Sequence, residues 1–214
     1  MSFAGFPVAA FEFYAGLRAD NSKDYWTAHR AIYEDSVRAP LAALLDEFAG
    51  EFGGTVSVFR PFRDVRFSRD KSPYKTHQGG FVEITPGTGY HLQVDADGLL
   101  TGGGFHARDA AHTREYRDAV TRTESGERLA SVVASLAVTG FEIEGEQVPT
   151  RPRGVSPEHP RLDLVRRKWL TASRRYPPSP RLADASAEAL VRSDWDQLRP
   201  LVEWIAAYCP GGRG

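Results

Sequence analysis

A change of hydrophobic period at Gly53-Gly54 limits what this chain can become. Before that pair, apolar residues recur at the 3.6-residue spacing of a helix. After it, Val56, Val58 and Arg60 alternate with Ser57 and Phe59, the period-2 pattern of a strand. A helical first part followed by strands and then more helical pattern points to the α+β class.

The helical part begins at Pro7, a good first helical residue, and Phe11, Tyr14 and Leu17 follow at helical spacing. Asn21 or Ser22 then caps a longer helix from about Lys23 to Phe52. Its expected inner face runs Tyr25, His29, Ile32, Val37, Leu41, Leu44, Leu45 and Phe48, with Trp26 and Tyr33 packing against the same core. Pro40 inside this pattern is expected to kink the helix or start a second one.

In the strand part, Pro61 interrupts the ladder. Phe62 to Phe67 is expected to resume as a strand, with Val65 and Phe67 on one side and Asp64 and Arg66 on the other. Asp70 and Pro73 make Ser68 to Thr76 a loop. Phe81 to Thr85, Tyr90 to Asp95 and Leu99 to Phe105 then form a meander joined by turns at Pro86–Gly89 and Ala96–Gly98. Gly102 to Gly104 within the last strand mark a bulge or a close approach.

Two helices are expected over about 108–138 and an extended segment over 141–148. An Arg- and Pro-rich wrapping segment with one short helix follows over about 149–181, and a final helix runs from about 194 to 208. The expected architecture is one α+β domain over 1–214, a central antiparallel meander (about 54–106) packed by N-terminal helices (about 7–52) and C-terminal ones.

A hydrophobic share of 41% and a charged share of 26% over 214 residues are those of a soluble globular protein with room for a core. No signal peptide is read at the N-terminus, and no run approaches the roughly 18 apolar residues of a membrane helix. Cys209 stands alone, which fits a reducing compartment and leads to the expectation of a cytoplasmic protein.

The net charge of −1 conceals two basic segments. RPFRDVRFSRDKSPYKTH, Arg60 to His77, carries six basic and two acidic residues, and 150–181 carries nine basic and two acidic. Together they suggest one patch for an anion on an acidic scaffold. Guanidinium groups match carboxylate and phosphate with two prongs, while lysine acts as a movable point charge. Arg60, Arg63, Arg66, Lys71, Tyr74, Lys75 and His77 are the candidate ligand-binding residues. Asp64 and His91 are candidates for acid–base work, so catalysis of an unassigned reaction stays open. No compact metal-ligand spacing, Walker loop, dinucleotide fingerprint or nucleophile elbow is present, and the cofactor is left unassigned.

Two alternatives stand beside the small-anion reading. Phe62, Phe67, Tyr74, Trp169 and Tyr176 among basic residues could stack bases, although a pI near 6.6 lacks the basic balance of most nucleic-acid binders. Asp64 and Asp70 could instead pair with Arg66 and Arg63 or Lys71 in an internal ion network.

The stretch R-x-x-R-D-x-R-F-x-x-D-K-x-x-Y from Arg60 to Tyr74 resembles the motif of domain-of-unknown-function family 2461. NSKDYWTAHR, GYHLQVDADG, the triple glycine, PRGVSPEHP and the last helix resemble that family's other landmarks in the same order. Arg60, Arg63, Asp64, Arg66, Phe67, Asp70, Lys71, Tyr74 and Lys75 match its signature, whereas His91, His106 and Val155 stand where an aromatic residue is expected. The resemblance implies no particular activity.

Overall fold

The computed structural model describes residues 3–211. Helix α1 (Val8–Ala19) starts after Pro7, whose extended backbone turns the chain into the first helical residue. Ser22 caps α2 (Lys23–Ile32) by accepting a hydrogen bond from the Tyr25 amide at 3.1 Å. A π-helical turn, Tyr33–Arg38, joins α2 to α3 (Ala39–Phe52). Pro40 explains its position. Proline has no N–H for the carbonyl four residues back and its ring crowds that carbonyl, so the ladder widens just before it and the Ala39 amide bonds to Glu34 instead.

The buried face of this segment is Trp26, Tyr33, Val37, Leu41, Leu44, Leu45 and Phe48. Ile32, expected inside, is 37% exposed. The buried start of this face is Trp26 and Tyr33, both expected against this core, while Tyr25 and His29 are only half-buried. Tyr25 fits against α1 because residue 16 is glycine; a Cβ there would stand 2.1 Å from the Tyr25 hydroxyl.

Six strands form an antiparallel open sheet: β1 (Thr55–Val58), β2 (His77–Thr85), β3 (Thr88–Asp95), β4 (Gly98–His106), β5 (Glu142–Glu144) and β6 (Trp169–Tyr176). Their order is β1-β2-β3-β4-β6-β5. The meander expected from the sequence is β2-β3-β4. Strand β6 lies inside the segment read as a wrapping one, where its apolar Leu170 and Ala172 are masked by flanking arginines. Helices α4 (Ala110–Thr121), α5 (Thr123–Val138), the four-residue α6 (Leu162–Val165) and α7 (Ser186–Tyr208) complete the chain. The last begins eight residues before the expected start at 194, because Ser186 to Ser193 continue its helical repeat.

The chain divides into two compact units. The first comprises 1–82, 91–101 and 175–193, and its core holds Phe6, Tyr14, Leu17, Leu41, Leu44 and Phe48, all fully buried. Burying each of the leucine and phenylalanine side chains among them contributes about 1.5–3 kcal/mol. The second comprises 83–90, 102–174 and 194–214. There the Tyr116 hydroxyl donates to the Leu164 carbonyl and the Trp204 indole to that of Ser125, so both large rings are buried with their polar ends satisfied. The Asp194 carboxylate, 1% exposed, meets Arg174 at 2.5 Å, and that guanidinium also lies 4.0 Å over the Phe141 ring.

Two of the three consecutive glycines of β4 answer to packing. Gly104 has φ 143°, and a Cβ there would lie 2.2 Å from the Leu170 carbonyl oxygen of β6. At Gly103 the nearest neighbours of a Cβ are Tyr90 and Val202 at 3.3 Å. At Gly104 this is close approach of backbone to backbone, and at Gly103 of side chains to backbone, the second of the two expectations for this stretch.

Candidate functional site

Between β1 and β2 residues 60–76 form a loop rather than a strand. Only the isolated bridge between Phe62 and Tyr74 is sheet-like, flanked by Arg63 N–H donating to Pro73 O (2.9 Å) and Lys75 N–H to Pro61 O (2.8 Å). The expected strand Phe62–Phe67 is thus corrected. Local bonds win over a ladder: the Asp64 carboxylate accepts from the Arg66 amide at 3.3 Å, and the Ser68 amide bonds back to Val65. Phe67 consequently stands 98% exposed at the tip.

The motif's charges mostly serve one another. Arg66 grips Asp64 with two prongs, Nε at 3.0 Å and an Nη at 2.6 Å. Arg63 pairs with Asp70, whose carboxylate also accepts from the Ser72 amide (2.9 Å) and hydroxyl (2.6 Å). Lys71 donates to the Val65 carbonyl at 2.9 Å. The partner guanidinium groups hold both carboxyls below the usual range, Arg66 acting on Asp64 and Arg63, then Ser72, on Asp70. The network is solvent-exposed, with Asp70 56% and Arg66 77% accessible in their side chains, so it shapes the loop more than it stabilises the fold.

The remaining candidates are spread out. Arg60 is exposed and has no ion pair among the described residues. Lys75 lies 5.7 Å from the Phe59 ring centre. His77 opens β2 half-buried; burial first, then Lys75, lower its pKa, with Asp95 pulling the other way and Arg175 adding a smaller lowering. His91 is half-buried on β3, on the strand face of Gln93 and Asp95. Asp95 accepts from Gln93 at 2.9 Å and from Arg175 at 2.9 and 3.0 Å.

Tyr74 is the candidate that leads to a cavity. Its ring stacks on Trp26 with centres 4.2 Å apart and planes 5° from parallel. Phe62 lies 5.5 Å from Tyr74 and 6.1 Å from Trp26, and Tyr33 lies 4.7 Å from Trp26. These four aromatics border a groove of about 480 Å³ between the motif loop and the outer side of α2 and the π turn. Lys23, Thr27 and Arg30, one helical stripe, form its other wall with Glu34 and Arg38. Lys23 and Arg30 have no ion pair among the described residues, and Arg38 meets Glu34 only at 3.7 Å. The Tyr33 hydroxyl donates to Gln78 at 2.7 Å, and burial pushes its pKa up to about 12, so it stays neutral.

The sequence reading missed this wall because Lys23 and Arg30 lie outside the basic run. The signal was there in the spacing of Lys23, Thr27, Arg30 and Glu34 at helical intervals facing away from the core.

The second basic segment is largely engaged with main-chain carbonyls. Arg161 donates to Val120, Thr121 and Arg122, Arg166 to Val148 and Pro149, and Arg167 to Gly145. Lys168 pairs with Glu146 at 2.5 Å.

The family model of the conserved hypothetical protein DUF2461 matches residues 9–204. The chain belongs to the DUF2461 family. No curated protein and no solved structure matches this DUF2461 chain. Among its described residues no three metal-ligating side chains gather, and no helix is long and apolar enough to cross a membrane.

Proposed function

We propose that this DUF2461 protein binds a small anionic ligand that carries a flat ring, in the groove between α2 and the motif loop. The observation that supports this reading is the pairing of two unpaired cations, Lys23 and Arg30, with a half-exposed ring, Phe62, across one groove. A volume of about 480 Å³ falls within the span of small-molecule sites. Phe62 supplies a stacking face and Lys23 and Arg30 neutralise a phosphate or carboxylate, while the Thr27 hydroxyl between them donates to the Lys23 carbonyl at 2.7 Å and so braces this wall. The π turn belongs to the same wall, and such turns recur at functional sites.

Titration with adenosine monophosphate, a ring-bearing phosphate, tests the reading by NMR. Shifts at the Trp26 indole and the Thr27 amide, lost in the Lys23→Ala/Arg30→Ala variant, are the expected result. No shift with this probe or with an aromatic carboxylate at 10 mM, about the weakest binding worth the name, overturns it.

A second reading concerns the motif itself. Arg63–Asp70, Asp64–Arg66 and Lys71–Val65 support a structural duty for the motif's centre, which would set the loop so that Phe62 and Tyr74 face α2. Arg66→Ala would then change groove binding only alongside shifted Phe62 and Tyr74 NMR signals in the free protein, whereas direct contact of Arg66 with the ligand predicts a tenfold loss or more with those signals unchanged.

A further inference from the structure

The second unit holds a groove of different chemistry. One face of α4 presents Arg114, Arg117, Asp118 and Thr121 towards the turn Pro152–Val155, enclosing about 490 Å³. The turn is fixed from within. The Arg151 guanidinium donates to the Val155 carbonyl, the Val155 amide reaches back to Pro152 at 3.3 Å, and Gly154 takes φ 82°.

Arg153 is what sets this turn apart. While Arg161, Arg166 and Arg167 beside it are tied to carbonyls, Arg153 and Arg114 have no hydrogen bond or ion pair among the described residues. Arg117 gives its Nε to the Val165 carbonyl at 3.2 Å, and neither of its Nη atoms has a partner there. Three guanidinium groups and one carboxylate leave a surplus of two positive charges, matching a phosphate monoester dianion. Such clusters recognise phosphate through paired N–H donors. The groove has no aromatic lining, so a ring finds no stacking surface. Asp118 can accept only hydroxyl or amine donors.

We propose that this groove is a sugar-phosphate site, with Arg114, Arg117 and Arg153 holding the phosphate and Asp118 accepting a sugar hydroxyl. It is separate from the groove beside Tyr74 and does not depend on that reading. Isothermal titration of the full chain with inorganic phosphate and with ribose 5-phosphate tests it. The sugar phosphate is expected to bind at least tenfold more tightly than the bare ion. Arg114→Ala/Arg153→Ala weakens both by tenfold or more, and Asp118→Asn weakens the sugar phosphate alone. Because neither Arg114 nor Arg153 has a partner to lose, the double variant keeps its thermal midpoint. Three results overturn the proposal. They are the absence of saturable binding by either probe, binding unchanged in Arg114→Ala/Arg153→Ala, and binding lost only in Lys23→Ala/Arg30→Ala.

Discussion

The Asn21 side chain holds both main-chain polar groups of Tyr74, donating to its carbonyl at 3.1 Å and accepting from its amide at 3.1 Å. One amide side chain thus does what a neighbouring strand would do, more than fifty residues away along the chain. Residue 21 sits just before the Ser22 cap of α2, so the helix start and the end of the motif loop are fastened together. That fastening presses Tyr74 onto Trp26 and fixes the width of the groove.

Asn21→Ala removes both bonds and should cost about 1–3 kcal/mol, given a net value of about 0.5–1.5 kcal/mol for each. Asn21→Asp keeps the acceptor for the Tyr74 amide, loses the donor and should recover part of the loss. Urea denaturation of the three proteins checks the order.

Phe62 and Tyr74 touch one another yet should respond very differently to truncation. Tyr74 is 6% exposed and stacked on Trp26, so Tyr74→Ala should destabilise by about 3 kcal/mol or more. Phe62 is 51% exposed, and Phe62→Ala should change stability by less than about 1 kcal/mol. Melting curves of both variants, measured side by side, decide it.

His77 makes stability depend on pH in a stated direction. Burial and Lys75 lower its folded pKa below the ordinary 6.5, so the folded state prefers the neutral ring. Above 6.5 the group is neutral in both states and contributes no slope. As pH falls through 6.5 the unfolded chain takes up the proton first, and stability drops until the folded pKa is passed. Urea midpoints at pH 7.5 and pH 5.5, roughly one unit either side of that value, should differ less in His77→Gln than in the parent chain.

Gly104→Ala should be among the most damaging small substitutions. The added methyl would meet the Leu170 carbonyl at 2.2 Å, at a φ of 143° that side chains rarely adopt. A loss of about 2 kcal/mol or more is expected by calorimetry, whereas Gly50→Ala, with open space around it, should be neutral or stabilising.

The helices, the meander and the glycine contacts were legible because each rests on local repetition. Helical spacing located α1 to α3, and alternation about two tight turns located β2-β3-β4. What escaped has physical causes. The Phe62–Phe67 run mimics strand alternation, yet Asp64 satisfies the Arg66 amide locally and Pro61 offers no donor to a neighbour. Strand β6 was hidden because its register is set by β5, where Ala172 faces Ile143, and not by its own composition. The groove was half visible: Tyr74 was singled out, but its partners Lys23 and Arg30 come from a helix read for its buried side. Charge density in a segment shows where arginines lie in sequence, not which of them keep a free donor.

The paired charges of the motif loop carry a consequence for descent. Arg63 answers to Asp70 and Arg66 to Asp64, so neither member of a pair can be replaced alone without leaving its partner's charge unanswered. Family members that have lost one acid should have lost its arginine as well. Two-by-two inheritance inside one short stretch would mark these residues as a frame built for Phe62 and Tyr74.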